Sequence, residues 1–155
     1  MKFTISVEID LPIHKVFQLF ADKDNLKEWQ KELIRYEHVS GKPGEVGAVT
    51  KLVYKSVTII ETIAEKNTPH EFDGTYEHKR GVHTVMVHKA FNSFIEQKKN
   101  KTLYEMKIVY VKFAGIIPKL MGVFMGFFVR KYYQNWLNQF KSFAEKKNTS
   151  QEVYD

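Results

Sequence analysis

Apolar and polar residues alternate strictly at the start of the chain, from residue 3 to residue 11. The apolar positions are Phe3, Ile5, Val7, Ile9 and Leu11. A period of two predicts a β-strand with one buried face. Pro12 then ends the strand and suits the first turn of a helix. The apolar spacing that follows predicts two short helices, the second carrying Leu26 and Trp29.

The period of two returns in six later segments separated by turns. These segments cover residues 34–38, 47–54, 57–64, 72–79, 82–96 and 103–111. Turn-forming residues separate them, for example Gly41-Lys42-Pro43-Gly44 after the first segment. Because the connections are too short for crossover helices, the seven predicted strands form a mostly antiparallel sheet.

The stretch from Pro118 to Lys147 has apolar residues at helical spacing and predicts one long helix. Its predicted inner face consists of Met121, Met125, Phe128, Val129, Tyr132, Trp136, Phe140 and Phe143. Together the elements predict an α+β fold, in which a seven-stranded antiparallel curved sheet wraps around the long C-terminal helix. Such a helix across the concave side of the sheet implies an internal cavity for an apolar guest.

A second apolar row lies on the opposite side of the first half of this helix. It consists of Leu120, Val123, Phe124 and Phe127, flanked by Lys112, Lys119, Arg130 and Lys131. Either a loop or the first short helix folds over this row, or the segment before Gly122 or Gly126 is not helical. Otherwise the row is an exposed patch for a homodimer contact or for a membrane with anionic headgroups. In the membrane case, an apolar ligand enters the cavity at this end of the helix.

Composition narrows the classes of function. The chain has 155 residues and is 43% hydrophobic, which suits a single domain over 1–155. The absence of cysteine excludes disulfides and thiolate metal sites, and no secretion signal is visible, so we expect a cytoplasmic protein. The net charge is +6, but basic and acidic residues are interspersed along most of the chain, so we expect no nucleic-acid partner. The apolar run 114–129 is too short and interrupted for a membrane span.

Strand parity and helix spacing together nominate residues for the wall of the cavity. The predicted ligand-binding residues are Tyr54, Glu61, Tyr76, His78, Tyr104, Met106, Tyr110, Met121, Met125, Phe128, Tyr132 and Trp136. A mostly apolar pocket with a few convergent polar groups is the usual form of a small-molecule site. For the tyrosines and His78, packing at the rim of the sheet is the alternative.

Glu61 shares its parity with the apolar residues of its strand. Burial without a cation would favour the neutral acid, which could donate a hydrogen bond to a ligand carbonyl or a proton to a substrate. Alternatively, Glu61 pairs with a Lys or Arg from a neighbouring strand, or a bulge turns it outward. His83 and His88 have opposite parity, and no set of side chains has metal-ligand spacing. We therefore expect no metal and no cofactor, and we assign no catalytic residues.

Short motifs occur in a fixed order along essentially the whole chain. They are Leu11-Pro12, Val16-Phe17, Phe20-Ala21-Asp22, Asn25-Leu26, Trp29, Pro43-Gly44-Glu45-Val46-Gly47, and Trp136, Leu137 and Phe140 in the terminal helix. In this order the sequence resembles the START-like (SRPBCC) superfamily of helix-grip proteins. It looks most like the polyketide cyclase and dehydrase-type branch, in the same broad class as the birch-pollen-allergen fold.

The resemblance implies several functions, because such folds serve as ligand carriers, polyketide cyclases and chaperone regulators. The chaperone regulators usually end in a shorter helix opened by a Gly-Trp pair, which this chain lacks. We expect binding or transport of a hydrophobic small molecule, such as a lipid, isoprenoid or polyketide-like compound. One alternative is a cyclase or dehydrase-type enzyme that uses Glu61 and His78 or a tyrosine as acid or base. The other is an interaction module acting through the Leu120–Phe127 patch.

Overall fold

The computed structural model describes the backbone of residues 1–114 and 119–152, with the side chains of 1–114 and 126–150. In this part of the chain the strands are β1 (Lys2–Ile9), β2 (Leu33–Ser40), β3 (Val49–Tyr54), β4 (Thr58–Asn67), β5 (Glu71–Arg80), β6 (His83–Lys98) and β7 (Lys101–Phe113). The helices are α1 (Ile13–Ala21), α2 (Leu26–Trp29) and α3 (Lys119–Glu152), and a 3₁₀ turn at Lys23–Asn25 joins the first two. The predicted α+β fold is confirmed.

The strands form one antiparallel sheet in the order β1-β7-β6-β5-β4-β3-β2. Strands β2 to β7 each pair with their neighbours in sequence, as short turns require. Strand β1 instead pairs with β7, where Val7 lies opposite Tyr104. This pairing places the N-terminal strand at the edge of the sheet, beside the helix that follows β7.

Helix α3 lies against β1 and the concave face of the sheet. The side chain of Gln134 donates a hydrogen bond to the Ser6 carbonyl at 3.0 Å. No helix of the described residues combines the length and hydropathy that spanning a bilayer requires.

The predicted inner face of α3 is correct only in part. The buried residues of the described helix are Tyr133, Leu137, Phe140 and Ala144. Phe128 and Tyr132 are 67% and 46% exposed. The reason is that aromatic residues occupy both flanks of the buried row, so hydrophobicity alone does not fix the rotation of the helix. Burial follows the i, i+4 rows through Tyr133–Leu137 and Phe140–Ala144, where small Ala144 permits close approach.

Several turns lie together at one end of the molecule, next to the candidate site. Strand β5 ends at Arg80 and β6 begins at His83, and Gly81 supplies the positive φ of 60° that this two-residue hairpin needs. The end of β7 lies beside the hairpin, because Phe113 is opposite Met86. We call this the hairpin end; it also holds the β3–β4 turn and the N-terminal half of α3.

The concave side away from the hairpin end is filled with aromatic rings. Phe20, from α1, packs against Phe72, Phe94, Tyr104 and Phe140, with ring centroids 5.3 to 5.6 Å apart. The space left for the predicted internal cavity is therefore restricted to the half nearer the hairpin end.

Candidate functional site: a two-compartment pocket

A small cavity lies between the concave face of the sheet, the 3₁₀ turn, α2 and α3. Its volume is about 60 Å³. Its polar wall residues include Lys23, Gln30, Glu61, Tyr76, His88 and Asn92, and its apolar wall includes Phe20, Leu52, Ile59, Met106 and Trp136. Such a volume holds roughly four water molecules. We call it the inner cavity.

An open depression of about 480 Å³ adjoins this cavity at the hairpin end. Its lining is mainly apolar and includes Val57, His78, Met86, Tyr110, Phe113, Phe128, Val129 and Tyr132. We call it the outer groove. Tyr54, Ile59, Tyr133 and Trp136 line both spaces. These four residues form a neck between a cavity with several polar groups in its wall and an almost wholly apolar groove.

Glu61 is the acidic residue in the wall of the inner cavity. Its alternation with Ile59 and Ile63 in β4 directs it inward, and it is buried. Lys23 Nζ donates a hydrogen bond to Glu61 Oε2, and the Tyr76 hydroxyl donates one to Oε1 at 3.1 Å. The cation therefore comes from the 3₁₀ turn and not from a neighbouring strand. This ion pair offers both a donor and an acceptor to a bound molecule.

Tyr76 is positioned for this contact by the residue two places before it. A Cβ atom on Gly74 would lie 2.8 Å from a ring carbon of Tyr76, so any larger residue at position 74 would clash with the ring in this position. Burial, together with the nearby Glu61 carboxylate, raises the pKa of the Tyr76 hydroxyl well above its ordinary value. Tyr76 is thus a hydrogen-bond donor at any physiological pH.

Two histidines connect the compartments. His78 Nε2 and His88 Nδ1 are hydrogen-bonded at 3.1 Å, with His78 in the wall of the groove and His88 in the wall of the cavity. The His88 ring stacks on Tyr76 with centroids 5.0 Å apart. Burial lowers the pKa of His78 to about 4, and burial together with the neighbouring His78 lowers that of His88 to about 3. Both imidazoles are therefore neutral near pH 7.

Asn92 forms the floor of the cavity. Its amide nitrogen donates to the Phe72 carbonyl at 2.7 Å, and its amide oxygen accepts from the Tyr104 hydroxyl at 2.8 Å. Tyr104 is almost wholly buried and lies behind the cavity wall. It holds Asn92 in place and has no contact with the cavity.

Trp29 has a buried polar atom, Nε1, without a hydrogen-bond partner in the described part of the chain. The neighbouring Gln30, by contrast, accepts a hydrogen bond from the Tyr54 hydroxyl at 2.5 Å. An unsatisfied buried donor costs about 1–3 kcal/mol.

The structure divides the predicted ligand-binding residues among several places. Tyr54, Glu61, Tyr76, Met106 and Trp136 line the inner cavity. His78, Tyr110, Phe128 and Tyr132 line the outer groove, as do Tyr54 and Trp136. Tyr104 lies behind the wall, and the side chains of Met121 and Met125 are outside the described residues. So are those of Leu120, Val123 and Phe124 from the second apolar row, whereas Phe127 is 67% exposed.

Sequence reasoning missed several wall residues. They are Lys23, Gln30, His88, Asn92 and Tyr133. Two of them could have been predicted from the alternation, because His88 and Asn92 share the parity of Ala90 and Phe94 in β6. Lys23 lies in a turn, where no periodicity indicates direction. Among the described residues, no group of three or more His, Asp or Glu side chains is arranged to hold a metal ion.

A curved antiparallel sheet, a long helix across it and a pocket between them define the helix-grip class of START-like proteins. The chain belongs to the family described as polyketide cyclase / dehydrase and lipid transport, whose model matches residues 1–145. The resemblance inferred from the sequence is thereby confirmed. Family and fold indicate binding of a hydrophobic ligand or polyketide cyclase-like chemistry. A comparison with curated proteins finds no match.

Solved structures share the fold over nearly the whole chain. The crystal structure of Ara h 8.0201 is 15% identical, with a TM-score of 0.70 over 93% of this chain and 97% of that one. A protein from Nitrosospira multiformis is 12% identical, with a TM-score of 0.67 over 92% and 94%. One from Mesorhizobium loti is 11% identical, with a TM-score of 0.69 over 94% and 98%. At such low identities the likeness establishes the fold alone.

Proposed function

We propose that the protein binds a small amphipathic molecule, with its polar group in the inner cavity and its apolar body in the outer groove. The observation that supports this is the contrast between the compartments. The inner cavity of about 60 Å³ carries several hydrogen-bonding groups in an otherwise apolar wall, whereas the lining of the groove of about 480 Å³ has few polar atoms. Ligand pockets for drug-sized molecules usually measure about 300–1,000 Å³, so the cavity alone is too small for a lipid.

The polar group is expected to be a hydroxyl, a carbonyl or a carboxyl. Lys23 keeps ammonium hydrogens that it can donate, and Glu61 and the Tyr76 oxygen can accept, since the one Tyr76 hydroxyl hydrogen is already donated to Glu61. The apolar body would supply most of the affinity, at roughly 25 cal/mol for each Å² removed from water. A medium-length alkyl, isoprenoid or polyketide-like chain fits this division of roles.

The two tryptophans provide the assay. The chain contains only Trp29 and Trp136, and both line the inner cavity. Titration with decan-1-ol, decanoic acid and decane should change the tryptophan fluorescence with clearly tighter binding of the two polar probes. Equal affinity for decane and decan-1-ol would contradict recognition of a polar group. Native mass spectrometry of the purified protein would identify a retained natural ligand.

A volume-filling variant separates the cavity from the groove. Ala90 is buried in the cavity wall, so Ala90→Leu should fill the inner cavity and abolish the preference for decan-1-ol over decane. Ala64→Leu is the matched control, because Ala64 is exposed on β4 outside both compartments. Unchanged preference in Ala90→Leu, in a protein with a native circular dichroism spectrum, would place the polar group elsewhere.

A second candidate is dehydration of a β-hydroxy ketone, favoured by the carboxylate and the ammonium group that meet in the cavity wall. The Glu61 carboxylate can accept the proton next to the carbonyl, and the Lys23 ammonium can protonate the departing hydroxyl, which leaves as water. Enone absorbance would report this reaction. The activity should disappear in Glu61→Gln while binding of decan-1-ol remains; no turnover by the native protein would leave only the binding function.

A further inference from the structure

The net positive charge of the chain is concentrated in one stretch of sequence. The chain has 24 basic and 18 acidic residues, and residues 106–144 contain 6 basic and no acidic ones. The rest of the chain therefore carries 18 residues of each sign and is formally neutral. Interspersed charge describes most of the chain, but not this stretch.

The same stretch exposes large aromatic side chains on α3. Phe127 and Phe128 are each 67% exposed, although a phenylalanine at a helix surface normally packs against a neighbour. Both line one shallow depression together with Arg130 and Lys131. The exposed aromatics and the basic side chains thus belong to a single surface.

Other elements add exposed residues at the hairpin end. Val82, at the tip of the β5–β6 hairpin, is 87% exposed, and Val111 in β7 is 60% exposed. Exposed basic residues at this end are Lys2, Lys55, Arg80, Lys112, Arg130 and Lys131. Among the described side chains, the acidic ones at this end are Glu32 and Glu77. Burial and the Glu32 carboxylate raise the pKa of Tyr132, and Glu77 is paired with Lys79 at 3.7 Å. Basic groups clearly outnumber acidic ones.

We infer that the hairpin end docks on an anionic membrane surface, with Phe127 and Phe128 entering the boundary between headgroups and acyl chains. Aromatic residues favour that boundary, and flanking Lys and Arg are attracted to anionic headgroups. A symmetric dimer through this surface would place Arg130 and Lys131 against their own copies. Charge therefore favours the membrane over a second copy of the chain.

Docking in this way would place the outer groove at the bilayer. Phe128 and Tyr132 line the groove as well as the exposed surface. An apolar molecule could then pass between the acyl region and the groove without crossing water. The docking inference does not depend on which molecule the groove holds, because it rests on exposure and charge alone.

Co-sedimentation with vesicles tests the inference. The full chain should bind vesicles of equal parts phosphatidylcholine and phosphatidylglycerol, and hardly bind pure phosphatidylcholine. Arg130→Gln with Lys131→Gln should weaken the partition coefficient about thirtyfold, at the usual contribution per basic residue. Phe127→Ser with Phe128→Ser should weaken it about tenfold or more. Added salt should reduce binding, because the attraction is screened.

Matched variants on other surfaces serve as controls. Lys98→Gln with Lys99→Gln removes two exposed charges from the opposite end, and Phe91→Ser with Ile95→Ser removes two exposed apolar side chains from β6. Neither should change vesicle binding. Equal losses in the control and test variants, or no binding to anionic vesicles, would overturn the inference. So would a dimer in sedimentation velocity that is lost in Phe127→Ser with Phe128→Ser while vesicle binding is absent.

Discussion

The buried histidine pair should make the stability of this protein depend on pH in a defined window. The pKa of His78 is lowered to about 4 and that of His88 to about 3, from an ordinary value of 6.5. Below pH 6.5 the unfolded chain binds protons at both positions while the folded protein does not. The stability is therefore complete above pH 6.5 and is lost as the pH falls towards the folded-state values.

The magnitude follows from the lowered pKa values. Each histidine contributes about 1.4 kcal/mol for each pH unit between its unfolded and folded pKa. Between about pH 7.5 and about pH 5.5, each should lower the free energy of unfolding by about 1.3 kcal/mol, or about 2.6 kcal/mol for the pair. This window lies above the ordinary titration range of carboxyl groups.

Urea denaturation followed by circular dichroism measures this change. The loss between the two pH values should shrink by about half in His78→Gln and nearly vanish when His88→Gln is added. His38→Gln and His83→Gln are the controls, because both histidines are exposed and their removal should leave the pH slope unchanged. The comparison uses pH slopes, so a uniform destabilisation of a variant does not affect it. An undiminished slope in the double variant would refute the reasoning.

Three further changes test the packing around the pocket. Phe20→Ala removes the ring at the centre of the aromatic cluster and should lower the free energy of unfolding in urea by about 3 kcal/mol. The enlarged cavity should then bind benzene, which titration calorimetry would detect. Tyr104→Phe leaves Asn92 Oδ1 without its donor and should cost about 1–3 kcal/mol; no change in the urea midpoint would show that the bond is immaterial. Gly74→Ala should displace the buried Tyr76 ring from Glu61 and His88, which should weaken decan-1-ol binding and cost about 1–3 kcal/mol in urea unfolding; unaltered binding would contradict this role of the ring.

Periodicity predicts which face of a strand is buried, and this prediction was correct where one face of the strand packs on the core. Glu61 was correctly directed inward by its alternation with Ile59 and Ile63. Its cation could not be found in this way, because Lys23 lies in a turn that approaches β4 only in the folded chain.

The rotation of α3 and the extent of the hollow also escaped sequence reasoning. Aromatic residues on both sides of the Tyr133–Leu137 row give nearly equivalent helical stripes, and only contact with β1 and the sheet selects one. Likewise, Phe20 was predicted to lie in a short helix, but nothing local to it indicates that it fills the space beneath Phe140. Both outcomes depend on contacts between residues that are distant in sequence.

The pairing of β1 with β7 bears on how the chain is made. Lys2 lies opposite Val109, so β1 has to wait until β7 has been synthesised before the two strands can pair. At about 5–20 residues per second, that wait lasts on the order of 5 to 20 seconds. During it, an alternating strand with a free hydrogen-bonding edge is available to other nascent chains. The long sequence separation also predicts slow folding, because closing so large a loop costs entropy before the contacts repay it.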